Sequence, residues 1–184
     1  MSKERDTYGI DIAGIHRELE LFQIKPGLRI AILNILGDTE LVEACAQALA
    51  EKLADLEYQA LVTAEAKSIP LAHALSVVIG KPYVILRKSY KPYMGDAIQS
   101  ETLSITTGKP QTLFLDEKDQ ELIEGANVII LDDVISTGST LQSMRMILEK
   151  AGANVIAEAA ILTEGERAKW ADIIALGHLP VFSD

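Results

Sequence analysis

The chain has 184 residues, enough for one well-filled α/β domain and short for two. Hydrophobic residues make up 48% and charged residues 24%, a globular balance that excludes a disordered chain. The formal net charge of −10 argues against nonspecific nucleic-acid binding, which needs a broad positive surface, so no nucleic-acid partner is expected.

The N-terminal MSKERDTYG is polar and lacks the apolar run of a signal peptide. The longest apolar helical stretch, 69–79, is interrupted by His73 and Ser76. It falls short of the roughly 20 apolar residues that span a bilayer, so no membrane partner is expected. One cysteine, Cys45, cannot form an intrachain disulfide, which fits a reducing cytoplasm. Together with His16, His73 and His178 it shows no zinc-ligand spacing. Positive charge is concentrated locally. Lys81, Arg87, Lys88 and Lys91 lie within eleven residues, where the chain average predicts about one, and such a cluster suits a small anionic ligand.

Taken in chain order, residues 8–34 carry the short apolar or alternating runs YGIDI, ELELFQI and LRIAILNIL, with a turn signal at Pro26-Gly27. These predict strands. Asp38 and Thr39 offer a helix cap, and Leu41, Val42, Cys45, Ala48, Leu49 and Leu53 follow at helical spacing, which predicts a helix over 39–54. QALVT at 59–63 is a buried-strand run, 68–80 the next helix with Pro70 in its first turn, and YVILR at 83–87 a strand. A polar excursion follows, with TLSIT and QTLFL flanking Gly108-Lys109-Pro110 as a hairpin. Long excursions in compact domains are usually functional, so a mobile arm is expected over 88–112. NVIILDD at 127–133 is a continuous apolar strand, 139–151 a helix, 154–162 another buried strand, 171–177 a further one, and LPVF a short terminal one. Apolar strands alternating with helices imply a mainly parallel sheet flanked by helices. The expected organisation is one α/β domain over 1–184, with a β-rich hood segment over 1–37.

Residues 128–140, VIILDDVISTGST, carry the most chemistry. Gly138 lets the backbone turn tightly and approach a ligand. Backbone N–H groups at the following helix start, with the hydroxyls of Ser136, Thr137, Ser139 and Thr140, make a nest for phosphate. Asp132 and Asp133 repel phosphate, but they accept hydrogen bonds from sugar hydroxyls and stabilise a developing cation. A phosphate nest beside a carboxylate pair is the pattern a ribose 5-phosphate requires.

This stretch resembles the phosphoribosyl-pyrophosphate (PRPP) signature of type I phosphoribosyltransferases, with Ser139 where many members carry Gly. The resemblance covers roughly residues 38–162 and follows the adenine and xanthine branch. It implies that Glu65, Ala66, Lys67 and Ser68 form a pyrophosphate loop, and that Arg87, Lys88 and Lys91 reach the same group. Arg suits bidentate phosphate contact and Lys a point charge. It implies Asp132 and Asp133 as catalytic residues, with Ser136, Thr137, Gly138, Ser139 and Thr140 on the 5′-phosphate. It also implies Mg²⁺ bound with PRPP rather than by protein ligands, a purine acceptor with adenine leading, and a homodimer. The chain departs from the family in two places. Of the family's N-terminal segment only Pro26-Gly27 is recognisable, and Thr106-Thr107-Gly108 stands where the arm carries Glu-Tyr-Gly, with Glu101 the nearest acid. Ile24, Leu28 and Ile30 are either core residues or one side of a base pocket. The departures keep two further readings open, a non-catalytic PRPP-binding regulator and a transferase for another base.

Overall fold

A computed structural model describes residues 6–103 and 110–183. The chain opens with strands β1 (Thr7–Ile12), β2 (Ile15–Lys25) and β3 (Leu28–Ala31), paired antiparallel in sequence order. The β1–β2 turn is only Ala13-Gly14, and both residues have positive φ, 50° and 80°. A two-residue hairpin whose twist matches its strands needs that conformation, which is why a Gly stands there and why Ala13 is held in a region few side chains adopt.

Next come helix α1 (Thr39–Leu53), strand β4 (Ala60–Ala64), helix α2 (Ile69–Ile79) and strand β5 (Tyr83–Leu86). Asp38 caps α1 through the amide of Leu41 and also receives Arg17 of β2 in a two-pronged ion pair, both contacts at 2.8 Å. The hood is thereby fastened to the helix that carries it. A hairpin of β6 (Ile98–Leu103) and β7 (Pro110–Leu115) follows, then α3 (Glu117–Ile123), β8 (Asn127–Ile135), α4 (Ser139–Lys150), β9 (Asn154–Glu164), β10 (Ile174–Leu179) and β11 (Phe182–Ser183).

The central sheet has the order β10-β9-β8-β4-β5 and is parallel throughout. One face buries Leu41, Leu49, Leu71 and Leu75 of α1 and α2 together with Ile12 and Leu19 of the hood. The other buries Leu141, Met144 and Ile147 of α4 with Leu113 and Leu115 of β7. Helices on both faces of a parallel sheet are the architecture the sequence pattern predicts.

Five differences stand out. The strand expected to stop at Asp133 runs on to Ile135, because Val134 and Ile135 still pair with Leu162 and Thr163 of β9. Helix α3, which periodicity does not predict, has seven residues and buries one apolar side chain, Ile123, so it is too short to show a repeat. The expected hood gains β11, which pairs with β3. The strand expected over 171–177 begins later, at Ile174, after a 3-10 turn over Arg167–Trp170. The arm strands pair antiparallel, but β6 spans Ile98–Leu103 rather than the expected 102–106, of which 104–106 lie outside the described residues; their root is fixed rather than loose, since Met94, Leu113 and Leu115 are buried and Phe114 bridges to Arg87. The Thr106-Thr107-Gly108 segment lies outside the described residues.

Candidate active site

In an open parallel sheet a ligand crevice forms beyond the carboxyl ends of the strands, where the winding reverses. Here it reverses between β4 and β8. From β4 the chain steps outward to β5, and from β8 it steps the other way to β9 and β10. The segments leaving β4 and β8, residues 65–68 and 136–138, therefore share one rim. They are the two segments singled out in the sequence.

At this rim the Ser68 hydroxyl lies 2.7 Å from Asp132 Oδ1 and 3.2 Å from Asp133 Oδ1. Its oxygen accepts the amide N–H of Asp133 at 2.9 Å, and that amide also donates to Asp132 Oδ1 at 2.9 Å. A hydroxyl has one proton, so it satisfies one carboxylate at a time. Lys67 brings its ammonium within 3.1 Å of Asp133 Oδ2. That contact is an ion pair without hydrogen-bond alignment, and Oδ2 is otherwise buried without a donor. Burial, and then the charge of Asp133, push the Asp132 carboxyl up to about 7, against the lowering pull of Ser68. The pair therefore favours keeping a proton, and hydrogen-bond donors reaching it would relieve that. Residues Lys67 and Ser68, expected on pyrophosphate, are turned toward the acid pair.

On the other side of β8, Gly138 sits at φ 81° and opens α4. The Thr137 hydroxyl lies 3.1 Å from that of Ser139. Ser136 and Thr137 are exposed, and Gly138, Ser139 and Thr140 half-buried. Amides and hydroxyls thus line a small cleft bounded by Asp132 and residues 134–141. Nothing in the sequence marks what lies beneath it. The edge of the Trp170 ring is so close that a β-carbon on Gly138 would sit 2.8 Å from it. The indole N–H is anchored on the Glu164 carbonyl at 2.8 Å, and Lys169 donates to the Thr137 carbonyl at 3.1 Å. Both residues follow β9, some 30 positions from the loop, so only folding brings them there.

The basic cluster is divided. Arg87 pairs with Glu65, Nε to Oε1 at 3.1 Å, and the Lys88 amide donates to Glu65 Oε2 at 2.9 Å. These contacts hold the Glu65 carboxyl below the usual carboxylate range, the Lys88 amide first. They also answer how an acid is tolerated in that loop: it faces a cation. Ala66, joined to Glu65 by a cis peptide, places its carbonyl on the Ile69 amide. The side chains of Lys88 and Lys91 are exposed, and Lys91 is engaged through its amide with the Met94 sulfur. Lys81 points elsewhere, to the Tyr58 carbonyl. In the hood Ile24 is 53% exposed, so it is no core residue, whereas Leu28 and Ile30 are half-buried. The histidines are structural or on the surface. His16 sits between Asp11 and Glu18, His73 edges Tyr83, and His178 bridges Thr163 and the Gly165 carbonyl. Among the described residues no three His, Cys, Asp or Glu side chains converge as a metal cage, and no helix is long and apolar enough to cross a membrane.

A parallel sheet whose switch point carries an acid pair on one strand and a glycine-opened loop leading into the next helix defines an open α/β protein with its crevice at that switch point. The chain belongs to the phosphoribosyl transferase domain family, whose model matches residues 32–176, and its fold is that of the type I, adenine phosphoribosyltransferase-like members.

Among curated relatives, it is 31% identical over 144 residues to the purine biosynthesis transcriptional repressor PurR of Bacillus subtilis, covering 78% of this chain and 50% of that protein. It is 35% identical to the hypoxanthine/guanine phosphoribosyltransferase of Ferroglobus placidus, covering 64% of this chain and 59% of that one. The chain thus spans about half to three-fifths of the length of these relatives. It is also 30% identical to the adenine phosphoribosyltransferase of Thermosipho africanus, over 80% of this chain and 84% of that enzyme. In fold it is similar to the adenine phosphoribosyltransferase of Thermoanaerobacter pseudethanolicus, with a TM-score of 0.71, 21% identity and coverage of 87% and 95%.

Proposed function

We propose that the chain transfers the 5-phosphoribosyl group of PRPP to a purine base, adenine first among the candidates, releasing pyrophosphate in purine salvage in the cytoplasm. The observation that carries this reading is the Asp132–Asp133 pair, joined through Ser68, beside the Gly138 nest at the switch point of the sheet. The adenine preference is supported by the relative from Thermosipho africanus and by the hood and arm architecture.

In this mechanism the base nitrogen attacks C1′ and loses its proton to water, the bond from C1′ to pyrophosphate breaks with its electrons leaving on the pyrophosphate, and the sugar passes through a cationic state. Positioning and electrostatics supply the catalysis. Ser136, Thr137, Gly138, Ser139 and Thr140 hold the 5′-phosphate. Asp132 and Asp133 accept the 2′- and 3′-hydroxyls and favour the cationic sugar. Arg87, fixed by Glu65, faces the leaving group with Lys67, Lys88 and Lys91. Mg²⁺ fits a rim whose oxygen donors are two carboxylates and the Ser68 hydroxyl, with no cage among the described residues; it would take most of its ligands from PRPP and supply charge neutralisation to the leaving group. A homodimer is the expected assembly.

The test is turnover of PRPP with adenine, hypoxanthine, guanine, xanthine, uracil and orotate in the presence of Mg²⁺. Pyrophosphate release with adenine supports the proposal, and release with another base alone moves the specificity but keeps the chemistry. One observation favours a second reading, a PRPP-binding regulator: the 31% identity to a repressor. PRPP binding with no turnover on any base would select it.

A further inference from the structure

The nest at 136–140 offers a phosphate only neutral donors, amides and hydroxyls, while Asp132 lies on its border. Amides and hydroxyls can hold a phosphate monoester, but a cation beside them would add charge that they lack, and the pyrophosphate-side basic residues follow other strands. Among the described residues, Lys169 is the cation seen to bond the loop. Its ammonium is 3.1 Å from the Thr137 carbonyl and 4.4 Å from the centre of the Trp170 ring. Exposed lysines usually keep their rotamer freedom, because ordering so long a side chain is entropically costly. Here a carbonyl and an aromatic face both hold it. The platform is itself fixed, with the indole N–H on the Glu164 carbonyl and the ring edge against Gly138. Glu164 lies one residue beyond Thr163, which pairs with Ile135, so the platform is level with the start of the nest.

We propose that Lys169 is a ligand of the phosphate monoester bound in this nest, supplying its positive charge. The proposal rests on reading 136–140 as a sugar-phosphate site. An ammonium has three donors, and the Thr137 carbonyl uses one, which leaves two for phosphate oxygens. The carbonyl and the ring place the charge beside the nest before a ligand arrives, so little ordering remains at binding. No loop signature would identify this residue, since it lies on a separate 3-10 turn.

Trp170 is the single tryptophan of the chain and touches the nest, so its fluorescence reports occupancy. The experiment titrates ribose 5-phosphate, PRPP and inorganic pyrophosphate into wild type, K169Q and K169R, with calorimetry as a second readout. The expected result is about tenfold weaker ribose 5-phosphate and PRPP binding by K169Q, a loss that shrinks as salt rises, with pyrophosphate affinity unchanged and K169R restoring most of the loss. Unchanged ribose 5-phosphate affinity in K169Q overturns the assignment. So does an equal loss for all three ligands with a lowered melting temperature, which would make Lys169 a strap on the loop. Failure of the wild type to bind either ribose 5-phosphate or PRPP would instead overturn the reading of the nest itself.

Discussion

Asp132 and Asp133 share one hydroxyl proton, that of Ser68; the Asp133 amide also donates to Asp132, and Lys67 pairs with Asp133. Burial first, and then the charge of Asp133, disfavour the ionised form of Asp132, so its carboxyl keeps its proton up to about pH 7. A carboxyl whose folded-state pKa is raised stabilises the fold most below its unfolded value, near 4, and that contribution is lost as pH rises through 7. Asp132→Asn removes the titration. Relative to wild type, the variant is expected to be more stable at pH 8 than at pH 5 in urea denaturation without ligand, and to lose most turnover. A pH-independent stability difference would mean that Asp132 does not carry the shift. Cys45, by contrast, is inert: it is fully buried, and burial pushes its thiol up to about 12.

At the level of elements, the junction of β8 and α4 is held from behind by a segment distant in sequence. Gly138 is required twice. Its φ of 81° disfavours any side chain, and a β-carbon would strike the Trp170 ring at 2.8 Å. Gly138→Ala is expected to cost about 1–3 kcal/mol of stability in urea denaturation, the left-handed backbone and the clash acting together. It should also weaken ribose 5-phosphate binding by more than about tenfold, because the amides of the nest must shift. Full affinity with lowered stability would show that the tryptophan yields and the nest does not.

Across the whole molecule, the sheet separates two cores, and the β6–β7 arm belongs to one of them at its root. Leu113 and Leu115 of β7 pack with Val84, Leu86 and Met144. Lys150 of α4 donates to the Gln99 carbonyl of β6 at 2.8 Å. Leu113→Ala is therefore expected to destabilise the entire fold by about 2–5 kcal/mol, as a cavity in a close-packed interior does. A loss under about 1 kcal/mol in cooperative unfolding would mean that the arm unfolds on its own.

The central sheet was legible in the sequence because both faces of β4, β8 and β9 are buried, which leaves unbroken apolar runs that periodicity detects. The acid pair and the nest were legible for a related reason: they are contiguous, and the order strand, acids, glycine, helix has a direct chemical meaning. Short elements were not. Helix α3 has a single buried apolar anchor, and the short terminal strand expected at LPVF reveals only through its pairing with β3 that it joins the hood. The roles of Glu65 and Ser68 also required the fold, since the sequence shows an acid in an anion loop but not the Arg87 that answers it, and a serine but not the carboxylates it joins. Lys169 and Trp170 lie furthest from what sequence can reveal. Their meaning comes from contact with residues about 30 positions away, and such contacts follow from packing rather than from any local pattern. The sequence by itself determined the parallel sheet and the strand, acid-pair, glycine and helix motif, because both are encoded in neighbouring residues. The tertiary structure alone decided which charges meet at that motif, because partners for buried and bordering charges are chosen by the fold that brings them together.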